Sequence, residues 1–293
     1  MRAAWYERNG SARDVLTVGE MPTPEPAAGE VRVRLHASGV NPSDIKTRRG
    51  RPLAGPRVIP HSDGAGVIDA VGPGVPASRV GERVWTWNGQ WKRPFGTAAE
   101  YIALPAAQAV RLPDDISFEA GACLGIPALT AVHALHLLKP AAPRTILVIG
   151  AASAVGHYIT QIAAQSGIRV IGTVGSAARA DHARAAGAAA TIDYKTEDVA
   201  ARVKDLTDGR GVDAIVDMDF STTVNLLPAG VMVPHGTMIC YGSNEMEQVG
   251  VPFKDLLFQS VTLRFFVLYE LLPEERRAGL DTLSALLETG RLA

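Results

Sequence analysis

The sequence predicts an α/β protein in two parts, a β-rich first part and then a doubly wound parallel sheet. Three observations predict it. Up to about residue 120, short runs alternate apolar and polar residues with period two and are separated by Gly/Pro turns. From Thr145 onward, strand-sized apolar runs alternate with Ala-rich helical segments. One of those junctions, RTILVIGAASAVGHYITQIAAQSGIRVIGTVGS at 144–176, reads strand, tight turn, helix, strand.

In chain order, EVRVRLHASGV is a half-buried strand by its alternation, and GAGVIDAVGPGV is a strand running into a Gly/Pro turn. GERVWTWNGQW, TAAEYIAL and QAVRLP add further short strands. Asp114, Asp115 and Ser117 are helix-start signals, and ALTAVHALHLL continues as helix until Pro140. TILVIG, IRVIGTV, AATIDY, VDAIVDM, TMICYGS and VTLRFFVLY follow as strands, with helices in several gaps. PEERRAGLDTLSALLETG closes the chain as an amphipathic helix ended by Gly290. The expected domains are residues 1–120 and 121–270, with the C-terminal helix in 271–293.

The 293 residues carry a formal net charge of −1, without the basic stripe of a nucleic-acid binder. A small-molecule site or a protein partner is expected instead. Two cysteines, Cys123 and Cys240, cannot build a disulfide scaffold and fit a reducing cytosol. The start MRAAWYERNG is charged where an export signal needs an apolar core, and no run has membrane-spanning length. The expectation is a soluble cytoplasmic protein.

The turn is Gly150-Ala151-Ala152-Ser153-Ala154-Val155-Gly156, with Ala151 and Ser153 at the first two glycine places of a G-x-G-x-x-G fingerprint. Small side chains still let the backbone approach a pyrophosphate, and Gly156 lets helix and strand pack closely. The amides of Ser153, Ala154 and Val155 would then form an anion site, unless the turn is an ordinary strand–helix junction. At the end of the next strand an NAD site calls for Asp or Glu. This chain has Thr173-Val174-Gly175-Ser176 and then Arg179, which favours a 2′-phosphate and hence NADP; otherwise Arg179 is a solvated helix residue.

Several landmarks occur together and in order: GVNPSDIKTRRG (39–50), SDGAGVIDAVGPGV (62–75), GERVW (81–85), LPDDISFEAGACLGIPALTAVHAL (112–135), the cradle, and YGS (241–243). On these the chain resembles the medium-chain dehydrogenase/reductase superfamily in its zinc-free quinone oxidoreductase branch. The resemblance implies a GroES-like β domain beside a Rossmann domain, with the active site in the cleft between them. In the zinc alcohol dehydrogenase branch a Cys follows the GV, and GHE precedes GAG. Here Asn41 stands at the Cys place and His61-Ser62-Asp63 at GHE, so Ser62 replaces the ligating His. No bound metal is expected, and His61, His133 and His136 are read as structural. Without a Lewis acid, reduction of a conjugated carbonyl is the easier chemistry, so the resemblance implies hydride transfer from NADPH to a quinone. The alternatives are an enone or enoyl-thioester acceptor, or a nucleotide-binding redox sensor without turnover. A short-chain dehydrogenase is disfavoured because no Tyr-x-x-x-Lys pair occurs.

The resemblance places Asn41 and Asp44 at the cleft floor, although both residues are also turn formers. Related quinone reductases often carry a tyrosine two residues past the Asp; here Lys46 stands there. It further implies a nicotinamide contact for Thr130, an adenine-phosphate contact for Tyr194, a nicotinamide wall of Gly242, Ser243, Phe266, Val267 and Leu268, and Tyr241 as a further cofactor-binding residue. STTVN at 221–225 departs from the loop usual in this branch, so no role is carried over to it. Trp85, Trp87 and Trp91 are read either as stacking surfaces for a quinone or as a packing cluster. Family members normally return to the β domain with roughly 30–40 further residues, a usual size for such an extension, that are not in this sequence. VTLRFFVLY is the expected edge strand of a homodimer, with Arg264 its one charge.

Overall fold

The computed structural model describes residues Met1–Leu292 in two compact units that divide between Ile126 and Pro127. In the first unit, β1 (Arg2–Trp5) pairs antiparallel with β2 (Thr17–Glu20). A five-stranded sheet follows from β3 (Glu30–Gly39), β4 (Asp63–Val71), β5 (Arg83–Thr86), β6 (Tyr101–Pro105) and β7 (Ala109–Arg111). Its order is β6-β3-β4-β5-β7, and every neighbour is antiparallel. The alternation in EVRVRLHASGV buries Val31 and Val33 against Ile68, Val84, Ile102 and Leu104, as one face of a strand requires. Gly39 at the end of β3 lies opposite Asp63 at the start of β4, so the segments beyond these residues meet at one end of the two inner strands. From that end α1 (Pro42–Gly50) departs, with Pro at its first position, where a missing N–H does no harm.

Two expectations in this part need correction. TAAEYIAL is strand only from Tyr101, because the amides of Thr97 and Ala98 bond the carbonyls of His61 and Pro60 instead of joining the ladder. The helix signalled before residue 120 is not continuous with the next one. Ser117 caps a single turn, Phe118–Gly121, by accepting from the Ala120 amide at 3.1 Å. A π-turn over Leu124–Ala128 then accommodates Pro127, which has no N–H to give. Only after it does α2 (Leu129–Leu138) run regularly.

The second unit holds β8 (Thr145–Val148), β9 (Arg169–Val174), β10 (Ala190–Asp193), β11 (Val212–Asp217), β12 (Met232–Cys240) and β13 (Thr262–Phe265). All pair in parallel in the order β10-β9-β8-β11-β12-β13. The connecting helices include α3 (Ala154–Gln165), α4 (Ala177–Ala185), α5 (Val199–Leu206) and α6 (Phe253–Phe258); α7 (Pro273–Glu288) follows the last strand. Buried on both faces, β8 and β11 read as nearly continuous apolar runs rather than alternating ones. Leu147, Ile171, Ile215 and Met238 anchor this core. β13 is an edge, and it ends earlier than VTLRFFVLY suggests. The chain turns into a 3₁₀ segment at Leu268–Glu270, where the buried Arg276 guanidinium donates to the Leu268 carbonyl. Among the described residues no helix is long and apolar enough to cross a membrane.

Candidate cofactor cavity and polar network

The strand order reverses between β8 and β11, and loops at the carboxyl ends of five strands diverge there, as ligand sites in open parallel sheets require. They enclose a cavity of about 590 Å³. Its wall includes Gly150, Ala152 and Ser153 after β8, Thr173 and Gly175 at the end of β9, and Arg179 on α4. Tyr194 and Glu197 follow β10, Met218, Asp219, Thr222 and Thr223 follow β11, and Asn244 follows β12.

The turn itself shows how an alanine substitutes for a fingerprint glycine. Gly150 has φ +71°, a left-handed conformation that glycine adopts without strain. A side chain at Gly156 would put its Cβ 2.1 Å from the Gly150 carbonyl oxygen, so α3 packs directly on the turn. Ala151 is fully buried, and the room for its methyl comes from the neighbouring strand: a Cβ at Gly172 would lie 2.4 Å from the Ala151 Cβ. Thr173 fixes the turn from the same strand, its hydroxyl accepting from the Gly150 amide at 2.9 Å and its carbonyl from the Ala151 amide at 3.0 Å.

One part of the expected anion site is corrected. The Ser153 amide already donates to the Gly150 carbonyl at 2.8 Å, and the Ser153 hydroxyl accepts from the Gly156 amide at 3.1 Å. That leaves the amides of Ala154 and Val155, at the first positions of α3, without acceptors in their own helix.

Charge in the cavity wall is unevenly satisfied. Glu197 pairs with Arg202 at 2.9 Å and also accepts from the Asp193 amide at 2.7 Å. Asp219 accepts from the Ser221 and Thr222 hydroxyls at 2.7 and 2.8 Å and from the Asn244 amide and side chain at 2.9 and 2.7 Å. Partial burial alone would raise its pKa, but these donors outweigh burial and hold the carboxyl below its usual range. Arg179 makes no ion pair; Ser176 caps α4 by accepting from the Arg179 backbone amide at 3.4 Å. Among the described wall residues it is the unpaired charge. A Cβ at Gly175 would lie 2.8 Å from the Tyr194 hydroxyl and 3.2 Å from the Lys195 Cε, so a side chain there would displace the ends of those two side chains.

Sequence reasoning missed Thr222 and Thr223, which belong to the STTVN segment to which no role was carried over, and it missed Met218, Asp219, Glu197 and Asn244. Only the position of these loops after parallel strands could have signalled them. Other expected cofactor residues lie outside the cavity wall. Tyr241, Gly242 and Ser243 follow β12, with the Ser243 hydroxyl accepting from the Ser221 amide at 3.2 Å. Phe266, Val267 and Leu268 follow β13; Phe266 packs edge-on against His133 of α2 at 4.7 Å. Thr130 is buried on α2.

In the first unit Asn41 and Asp44 are both buried, and they do hold their own turn: the Asn41 amide donates to the Asp44 carboxylate at 2.7 Å. The Asn41 side chain does more, donating through Nδ2 to Asp63 at 2.8 Å, and Asp63 also accepts from the Ile126 amide at 2.9 Å. Burial pushes Asp44 up to about 6 and Asp63 up to about 8, the latter against the hydrogen bonds from Ile126 and Asn41. Lys46 stands on the exposed side of α1. Trp85 is fully buried and belongs to the packing. The Trp91 ring is partly exposed and carries the Arg51 guanidinium at 5.3 Å and the Lys92 ammonium at 5.5 Å.

Residues 27–114 match the family described as alcohol dehydrogenase GroES-like domain, and residues 154–285 the family described as zinc-binding dehydrogenase. The chain is 34% identical over 282 residues to a quinone oxidoreductase of Pseudomonas aeruginosa, covering 94% of this chain and 85% of that one. It is 33% identical over 250 residues to a 2-haloacrylate reductase of a Burkholderia species, covering 80% and 73%. The solved Escherichia coli quinone oxidoreductase complexed with NADPH superposes with a TM-score of 0.83 at 27% identity, covering 100% of this chain and 89% of that one. With both domains matched in order and such relatives spanning nearly its whole length, the chain is an oxidoreductase and belongs to the medium-chain dehydrogenase/reductase superfamily, in its quinone oxidoreductase branch.

Proposed function

We propose that this chain is an NADPH-dependent quinone reductase that works without a metal. The observation that carries the reading is the unpaired Arg179 beside Gly175 in a cavity whose carboxylates are already satisfied, in a chain similar to a quinone oxidoreductase solved with NADPH. The residues fit the cofactor. The Ala154 and Val155 amides would hold the pyrophosphate, with the glycines at 150, 156 and 175 leaving the backbone bare, and Arg179, Ser176 and Tyr194 would hold the 2′-phosphate. NADPH, when bound, supplies the hydride. In the first unit Asn41, held by Asp63, turns its amide toward the acceptor oxygen, where negative charge develops. Thr130, Tyr241, Gly242, Ser243 and the Phe266–Leu268 segment would hold the nicotinamide.

Arg179→Ala is expected to lower the preference for NADPH over NADH by about tenfold, roughly 1.4 kcal/mol, while leaving NADH affinity nearly unchanged. Equal losses for both cofactors would show that Arg179 does not read the phosphate. The acceptor is tested by NADPH oxidation with quinones, enones, enoyl thioesters and 2-haloacrylates in the presence of a chelator. The first class is expected to be fastest. The likeness to a 2-haloacrylate reductase makes conjugated acids the second reading.

The chain is further proposed to form a homodimer through β13. The strand is an open sheet edge, and Phe265 on it is 57% exposed. On the preceding α6, Phe253 is 69% exposed and Phe258 80%, an apolar surface that a second copy would cover. Thr262→Pro and Phe258→Asp are each expected to weaken the dimer at least about tenfold in light scattering, the loss of roughly one buried apolar contact. A monomeric wild-type protein at micromolar concentration would refute it.

A further inference from the structure

His61 lies outside the cofactor cavity wall and outside the Asn41–Asp63 pair. It holds φ +75°, a left-handed backbone conformation uncommon for a side-chain-bearing residue, at the point where the chain enters β4. The strain is kept in place from both sides: the His61 carbonyl accepts from the Thr97 amide at 2.9 Å, and Nδ1 lies 3.0 Å from the Ser38 hydroxyl.

Counting protons fixes the roles of the atoms. The Thr97 hydroxyl lies 2.6 Å from the Asp63 carbonyl, which can only accept, so the single Thr97 proton is committed there. Ser38 Oγ lies 2.9 Å from Thr97 Oγ1, and the proton between them must therefore come from Ser38. Ser38 then has none to give to His61, so Nδ1–H of His61 donates to Ser38. The wire runs in one direction, from imidazole to Ser38 to Thr97 to the Asp63 carbonyl. Burial, and after it the nearby Arg48 cation, push the imidazole down to about 4, so the ring is neutral at neutral pH. A neutral ring with its proton on Nδ1 presents a bare lone pair at Nε2. That nitrogen has no partner among the described residues, and the ring is only half-buried.

We infer that His61 is a specificity-determining residue, its Nε2 accepting a hydrogen bond from an alcohol hydroxyl carried by the acceptor beside its reducible carbonyl. The inference rests on the quinone-reductase reading above, and on the meeting of the Asn41 and His61 segments where Gly39 pairs with Asp63. The substrate class it names is the hydroxyalkyl-substituted quinone. A lone pair cannot serve the carbonyl oxygen itself, which needs a donor, so the imidazole reads a substituent and the Asn41 amide reads the carbonyl.

The test compares 2-(hydroxymethyl)-1,4-benzoquinone with 2-methyl-1,4-benzoquinone. The wild type is expected to favour the hydroxymethyl compound in kcat/KM by roughly three- to tenfold, the range of one neutral hydrogen bond. His61→Gly and His61→Asn both accept the left-handed backbone and so keep the fold, and in both the ratio is expected to fall to about one. Ser38→Ala leaves the ring but frees its tautomer, and is expected to lower the ratio without abolishing it. Independently of turnover, ¹⁵N NMR of the cofactor-free protein is expected to show His61 Nε2 unprotonated and Nδ1 protonated. The Nε2 resonance should move with the hydroxymethyl quinone and not with the methyl one. A protonated Nε2, or a ratio unchanged in both His61 variants, would overturn the inference. If no quinone turns over at all, the quinone-reductase reading fails by itself, and the NMR titration still decides whether Nε2 accepts the hydroxyl.

Discussion

Gly156→Ala is expected to abolish NADPH binding and to lower fold stability by about 3 kcal/mol. The new Cβ would stand 2.1 Å from the Gly150 carbonyl oxygen and 2.9 Å from the Ala151 Cα. Both are backbone atoms, so no side-chain rotation relieves the contact. Either α3 moves off the turn, carrying the Ala154 and Val155 amides away from the pyrophosphate, or the turn leaves its bonds to Thr173. Calorimetric titration with NADPH and the denaturant midpoint check the two halves of the expectation. Gly167→Ala is the matched control. Gly167 follows α3 with φ +79° and no neighbouring atom within 4 Å of its Cβ position. Strain there costs about 1 kcal/mol and is expected to leave NADPH binding intact.

Asp63→Asn is expected to stabilise the protein by about 2–5 kcal/mol at pH 8 and by progressively less toward pH 4. Asp63 is 1% exposed, and its Oδ1 has no partner while Oδ2 accepts from Asn41 and Ile126. Burial raises the folded carboxyl to about 8, whereas the unfolded one ionises near 3.8. Between those values the folded chain holds a proton that the unfolded chain has released. Stability from this group therefore falls as pH rises through the window. Asparagine keeps the shape, keeps an acceptor for the same two donors, and is neutral at every pH. Denaturant unfolding from pH 5 to 8 is expected to show the wild type losing stability relative to the variant. Parallel curves would mean that Asp63 is ionised in the folded protein.

The contrast between these two sites shows what the sequence makes legible. Gly156 announces itself locally, because a strand, a small-residue turn and a helix need a close approach at that position. The fully buried β8 and β11 are equally plain as apolar runs, and β13 as an apolar run with one charge. Most of what escaped depends on pairings distant in the chain. Ala151 can replace a glycine because Gly172 lies beside it on the next strand, a fact that only the β8–β9 register reveals. Asp219 organises a cavity wall because Asn244, from the loop after another strand, folds onto it. The Ser153 amide is lost to the anion site through a bond within the turn that composition cannot show. Nothing in the sequence separates Trp85, sealed in the core, from Trp91 at its margin; strand register does.

NADPH held in the second unit is expected to reduce a quinone by two electrons. Anaerobic stopped-flow mixing of the NADPH-loaded protein with a 1,4-benzoquinone tests it most directly, with NADPH deuterated at C4 as the comparison. The expected result is one NADPH oxidised per hydroquinone formed, no semiquinone signal, and a slower transient with the deuterated cofactor when hydride transfer limits it. NADPH that binds tightly yet is not oxidised by any quinone, or that yields semiquinone radicals in stoichiometric amount, would contradict the claim.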